Sequence, residues 1–155
     1  MNGMTVIVKT ISSWIKMLVF LFGIYIVLFG HITPGGGFAG GVILACSYVL
    51  IMLAFGRDYT EENLSLNVAS KLDCTGALLF AAIALVGFLY GGFSFFWNYI
   101  YQKYPFEKDA AFKLVSAGTI PLSNIAIGLK VGASLFLVLL VLSAFRPEDS
   151  PEKES

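Results

Sequence analysis

The chain has 155 residues, 57% of them hydrophobic and 13% charged, with ten basic and ten acidic side chains and a formal net charge of zero. A mean hydropathy of +0.82 is far above that of a water-soluble domain. The balanced charge excludes a basic nucleic-acid-binding face, and the little polar chain between the apolar stretches excludes a separate catalytic domain.

A hydrocarbon layer about 30 Å thick needs about 20 mostly apolar residues per helical crossing. Four such stretches occur here. The expected fold is all-α: an integral membrane domain of four transmembrane helices with short loops over residues 1–145. A charged, proline-bearing tail follows over 146–155, and its composition favours disorder.

The first stretch runs from Thr5 to Gly30. Lys9 and Lys16 in its first half can snorkel to the headgroups beside the interfacial Trp14. Its length, and the lack of a small-x-small site after Gly30, predict a retained anchor and not a cleaved leader. His31 to Gly37 can only be a tight turn. The second stretch, Gly36 to Phe55, opens with glycines at 36, 37, 40 and 41, which form two overlapping small-x-x-x-small pairs suited to close helix contact. Arg57 to Lys71 is polar and reads as a surface loop or a short interfacial helix.

The third stretch is expected from Asp73 to Trp97, with Asp73 at the helix N-terminus, where the macrodipole favours negative charge. Gly87 and Gly91 share one of its faces, and Trp97, Tyr99, Tyr101 and Tyr104 mark a water interface. Lys103 to Lys113 predicts a short amphipathic helix, and Pro121 to Phe145 is the fourth stretch. Four crossings put both termini on one side with Lys9, Lys16, Arg57, Lys71, Arg146 and Lys153, against Lys103, Lys108 and Lys113 on the other. The expectation is a multi-pass cell-membrane protein with cytoplasmic N- and C-termini.

Lys130 is the most informative residue. It lies roughly 13 Å along the last helix from Pro121, too deep to snorkel. An ionised lysine there costs about 3 kcal/mol, so it must face a partner or a hydrated cavity. With Asp73 read as a helix end, no carboxylate is expected at that depth, and the partner is expected on another subunit. Gly128 and Gly132 on either side let a helix approach at the same level. Two readings stand: a charge in a proton or cation route, or a static interhelical link. His31 likewise reads either as a proton relay at a pathway entrance or as a hydrogen-bond partner of the turn's own carbonyls. Cys46 and Cys74 have no metal-ligand spacing. The glycine run lacks the Gly-Lys-Ser/Thr ending of a nucleotide loop, and no Ser/His/Asp set occurs. No metal, cofactor or catalytic residue is expected.

The string Gly30-His31-Ile32-Thr33-Pro34-Gly35-Gly36-Gly37-Phe38-Ala39-Gly40-Gly41 resembles the G-H-x-x-P-G-G-G-F-x-G-G signature of the B subunit of Mrp/Mnh-type multisubunit cation/proton antiporters. The four-span layout around it is similar too. The resemblance implies a small non-catalytic membrane subunit packed beside large antiporter-like subunits that exchange sodium ions for protons. Related modules occur within archaeal membrane-bound hydrogenases and sulfur-reducing complexes. Many bacterial stand-alone antiporters of this kind carry an acidic residue in the last helix, where this chain has Lys130, and this points toward the energy-converting relatives. Two other readings remain: a purely structural scaffold of a stand-alone antiporter, and a self-contained small transporter.

Overall fold

The computed structural model describes residues 4–91, 94–100 and 117–144. Its helices are α1 (Val6–Leu28), α2 (Gly36–Phe55), α3 (Arg57–Asn63), α4 (Leu66–Tyr90) and α5 (Ile120–Leu142), with no strand among the described residues. All but the short α3 are long and apolar enough to cross a membrane, as the composition requires. The amphipathic helix expected within 103–113 and the tail at 146–155 lie outside the described residues.

Three of the four spans fall within a few residues of their expected bounds. The third differs at both ends. It begins at Leu66, about two turns before Asp73. Ser65 supplies the cap, its hydroxyl accepting a hydrogen bond from the Val68 N–H at 3.4 Å. Leu66 and the fully buried Ala69 then pack with Phe136 and Leu140 of α5, so apolar burial starts well before the acidic residue. Asp73 is therefore an interior residue of the span and not its N-terminus. At the other end α4 stops at Tyr90, and the chain folds back through residues 95–98. Gly87 and Gly91 receive this fold-back, their open faces lying against Phe96 and Trp97. They serve a local reversal of the chain.

The helices pack in the order α1, α2, α5, α4, with only a small contact between α1 and α5. One third of the most apolar window of α2 is buried within the chain (33%), against 11% for α4, so α2 is central and α4 peripheral. Large apolar side chains such as Trp14, Leu18, Leu78 and Leu89 point outward. That inverted surface is what a helix bundle in lipid presents, where the apolar exterior meets acyl chains or neighbouring subunits.

Glycine seams set the interhelical distances. A Cβ on Gly37 would collide with the backbone carbonyl of Asn124, and one on Gly41 would come within 2.8 Å of the Gly128 carbonyl oxygen. The 37/41 pair is thus the α2 face against α5. Gly40 points the other way, where a Cβ would come 2.5 Å from Val27 Cγ2 of α1. Gly132 is looser, since a Cβ there would meet the Gly41 oxygen at 3.3 Å and other atoms at ordinary contact.

Gly41→Leu is expected to prevent α2 from seating on α5 and to leave little intact protein after extraction in mild detergent. Gly132→Ala should cost less than about 1 kcal/mol. Melting of the two variants in detergent checks the ranking, and equal loss would refute the seam as described.

Candidate functional site

Two constructions stand out, one at a helix turn and one inside the span. The turn is the signature string. Phe29 closes α1, and its carbonyl accepts hydrogen bonds from the Ile32 and Thr33 N–H groups and from the Thr33 hydroxyl. Pro34 then leads into Gly35, whose φ of 105° and ψ of −25° are open to glycine and strained for other residues. Gly30, Gly36 and Gly37 all crowd Asn124 of α5, whose Oδ1 accepts the Gly37 N–H at 3.4 Å. That bond satisfies one of the orphan donors that every helix start leaves unpaired, here at the start of α2. His31 stacks on Phe29 with ring centroids 6.5 Å apart. Phe38, at 63% exposure, faces outward from the start of α2.

The second construction joins α4 to α5. A Cβ on Gly76 would lie 2.7 Å from the Lys130 amide nitrogen, so the two backbones nearly touch. One turn earlier on α4, Asp73 Oδ1 accepts the Lys130 ammonium at 3.0 Å and the Ser134 hydroxyl at 2.5 Å. Lys130 Nζ also reaches Ser134 Oγ at 3.4 Å. Asp73 lies about 10 Å along α4 from Leu66, and Lys130 about 15 Å along the antiparallel α5, so both stand within helices long and apolar enough to cross a membrane and away from their ends. The expectation that Lys130 lacks a carboxylate within its own chain is thereby corrected. Its partner is Asp73, brought to depth by the early start of α4.

The side chains of Lys130 and Asp73 are 47% and 29% exposed, so the pair lies at the outer edge of the α4–α5 contact and is not sealed in the core. The turn with His31 docks six residues earlier on α5, at Asn124, roughly 9 Å of helix rise from Lys130. The fold therefore places the two sequence candidates at different levels. Gly128 meets Val27 and the Gly37 carbonyl on the inner side of α5, and so it positions the helix that carries Lys130 without touching the pair. From sequence Ser134 was not singled out and Asp73 was placed at a helix end, although a Ser65 cap with apolar residues at 66, 69 and 72 is a signal that would have placed Asp73 within the span.

These observations define a multi-pass helical membrane protein with an ion pair and a hydroxyl set into its apolar span. The chain belongs to the family described as a domain related to the MnhB subunit of Na+/H+ antiporters, whose model matches residues 7–137. It is 36% identical over 143 residues to an uncharacterized protein of Methanocaldococcus jannaschii, covering 90% of this chain and 52% of that one, so it spans about half the length of that relative. A Staphylococcus epidermidis protein that carries the name antiporter subunit mnhB2 is 30% identical over 144 residues, 91% of this chain and 96% of that one. Its namesake in Staphylococcus haemolyticus is 29% identical over 138 residues, with 89% and 94% covered. Among solved structures, the fold is similar to a chain of the membrane-bound sulfane sulfur reductase, an archaeal respiratory membrane complex. The TM-score is 0.73 at 28% identity, over 95% of this chain and 60% of that one.

Removing either charge strands the other in a low-dielectric layer. Lys130→Met and Asp73→Asn should therefore each destabilise the protein, and the double variant should recover part of the loss, with a coupling of about 0.5–2 kcal/mol. A thermal double-mutant cycle in detergent measures it, and strictly additive losses would show that the pair contributes nothing.

Proposed function

We propose that this chain is a small subunit, without catalytic residues of its own, of a membrane module that moves sodium ions and protons across the cell membrane. In this reading the module works inside a larger energy-converting complex of the membrane-bound hydrogenase or sulfur-reducing type. The observation that carries the proposal is the Asp73–Lys130–Ser134 cluster, a neutral but strongly polar group at the edge of the bundle in the hydrocarbon layer. Ionisable residues at that depth cost several kcal/mol unless paired, and they characteristically line ion and proton routes. Membership of the MnhB-related family and the likeness to a chain of an archaeal respiratory complex support the wider setting.

The partners in this reading are other membrane subunits that cover the face of α4 and α5 where the pair emerges. The outward Phe38 beside the signature turn offers them a second contact. Both termini lie in the cytoplasm. Lys130 belongs to the ion route and His31 to its entrance, while Gly30, Pro34 to Gly37, Gly40, Gly41, Gly128 and Gly132 hold the helices in register.

A scaffold role in a stand-alone antiporter is the second reading, favoured by how fully the glycine seams account for the signature string. Co-purification of the chain with its neighbours, followed by flux measurements on the reconstituted complex, separates the two. Lys130→Met should leave assembly intact and lower sodium and proton flux several-fold. Full flux in that variant would leave a structural charge and favour the scaffold. Sodium or proton flux through the purified chain alone would point instead to a self-contained transporter.

A further inference from the structure

We infer that the cleft between α1 and α4 seats a membrane helix of a neighbouring subunit, and that this helix brings a carboxylate to Lys16. The inference rests on the proposed place of the chain among other membrane subunits. It names a docking face apart from the α4–α5 edge, since neither Asp73 nor Lys130 lines the cleft.

The cleft follows from the order in which the helices pack. Helices α1 and α4 stand at the two ends of that order and share no packed face, so a space opens between them. Its walls include Phe20 of α1 and Leu72 of α4, and its floor includes Ala45 and Tyr48 of α2 with Gly132 and Ala133 of α5. The volume is about 190 Å³, and the lining is almost wholly apolar. An apolar cavity of about 150 Å³ stays dry and takes a hydrocarbon guest. Apolar side chains or acyl chains therefore suit this cleft better than water does. The small residues on its floor let a helix come close, as they do at the seams within the chain.

Lys16 says which guest. It lies ten residues past Val6 and twelve before Leu28, in the middle of α1. Its ammonium sits 4.9 Å from the centre of the Tyr48 ring, and that residue also forms part of the cleft floor. The positive charge thus stands beside the cleft. Among the described residues no carboxylate lies within ion-pair distance of it: Asp73 is held by Lys130 and Ser134, and Glu61 by Arg57. The other described acids, Asp58 and Glu62, lie on α3 beyond the end of α2, and Tyr48 precedes that end by about 10 Å of helix rise.

An aromatic face offsets only part of the cost of a charge in an apolar layer, and charges within membrane spans characteristically pair with an opposite one. A lipid phosphate would have to leave the headgroup layer to reach the middle of α1. A carboxylate on a membrane helix arrives at that level with the helix itself. The tail at 146–155 has acids, but proline is its only apolar residue type, so it cannot fill the cleft.

The test uses the complex that co-purifies with this chain. With photoreactive p-benzoylphenylalanine in place of Phe20, irradiation should join the cleft to an apolar segment of another subunit. Mass spectrometry of the joined peptide should find that segment long enough to span a membrane and holding an Asp or Glu. Lys16→Met suits an apolar span and should still insert, yet it should retain that subunit several-fold less through detergent washing. Lys16→Arg should retain it as the wild type does. Lys16→Glu should lose it, and a matching acid-to-lysine change in the partner should restore it.

The absence of a cross-link to another subunit would overturn the inference, and a cross-link to phospholipid alone would assign the cleft to lipid instead. A joined segment without a carboxylate would overturn it too, as would full retention in Lys16→Glu or a loss that the partner's new lysine does not repair. In each case the broader functional proposal would stand. A chain that purifies with no other membrane subunit would instead refute that proposal, and the inference with it.

Discussion

The structure depends on the backbone approach between α2 and α5. Gly37 and Gly41 carry no side chain where the Asn124 and Gly128 carbonyls pass, so the two helices meet main chain to main chain. In lipid there is little hydrophobic gain from bringing helices together, and close van der Waals packing at small residues takes its place. The seam also fixes the height of α5. The Asn124 amide fits against the signature turn only at one register, and that register determines where Lys130 comes to lie.

A second contact of the same kind, Gly76 against the Lys130 backbone, sets α4 on the opposite side of α5. It brings the two helices close enough for Asp73 to reach an ammonium one turn away. The polar cluster is thus a product of apolar packing. The glycines specify the distance, and the charges only occupy the place that the distance allows. Because the pair is neutral and hydrogen-bonded to Ser134, its cost in the bilayer is far below that of the lone lysine that sequence suggested.

Much of this was legible in the residues. Four apolar stretches mark four spans, the second with the same bounds, because a bilayer leaves the backbone no alternative to a helix. The glycine run announced a tight turn and close packing. The start of α4 was not legible, since Asn67, Ser70 and Lys71 dilute its first turns and an acidic residue is a plausible N-terminus. Burial of Leu66 and Ala69 against Phe136 outweighs that dilution, and only the tertiary contact reveals it. The missed partner of Lys130 follows from that one boundary. Likewise, the spacing of Gly87 and Gly91 is identical to that of a helix seam, and nothing local shows that the chain itself folds back onto them.

The ion pair between α4 and α5 also bears on how the protein is made. Asp73 leaves the ribosome long before Lys130, so a newly inserted α4 carries an unpaired acid within the apolar layer. Release of α4 into lipid is unfavourable until its basic partner arrives. The last two spans should therefore leave the translocation channel as a hairpin, with α4 retained at the channel wall until α5 has been synthesised.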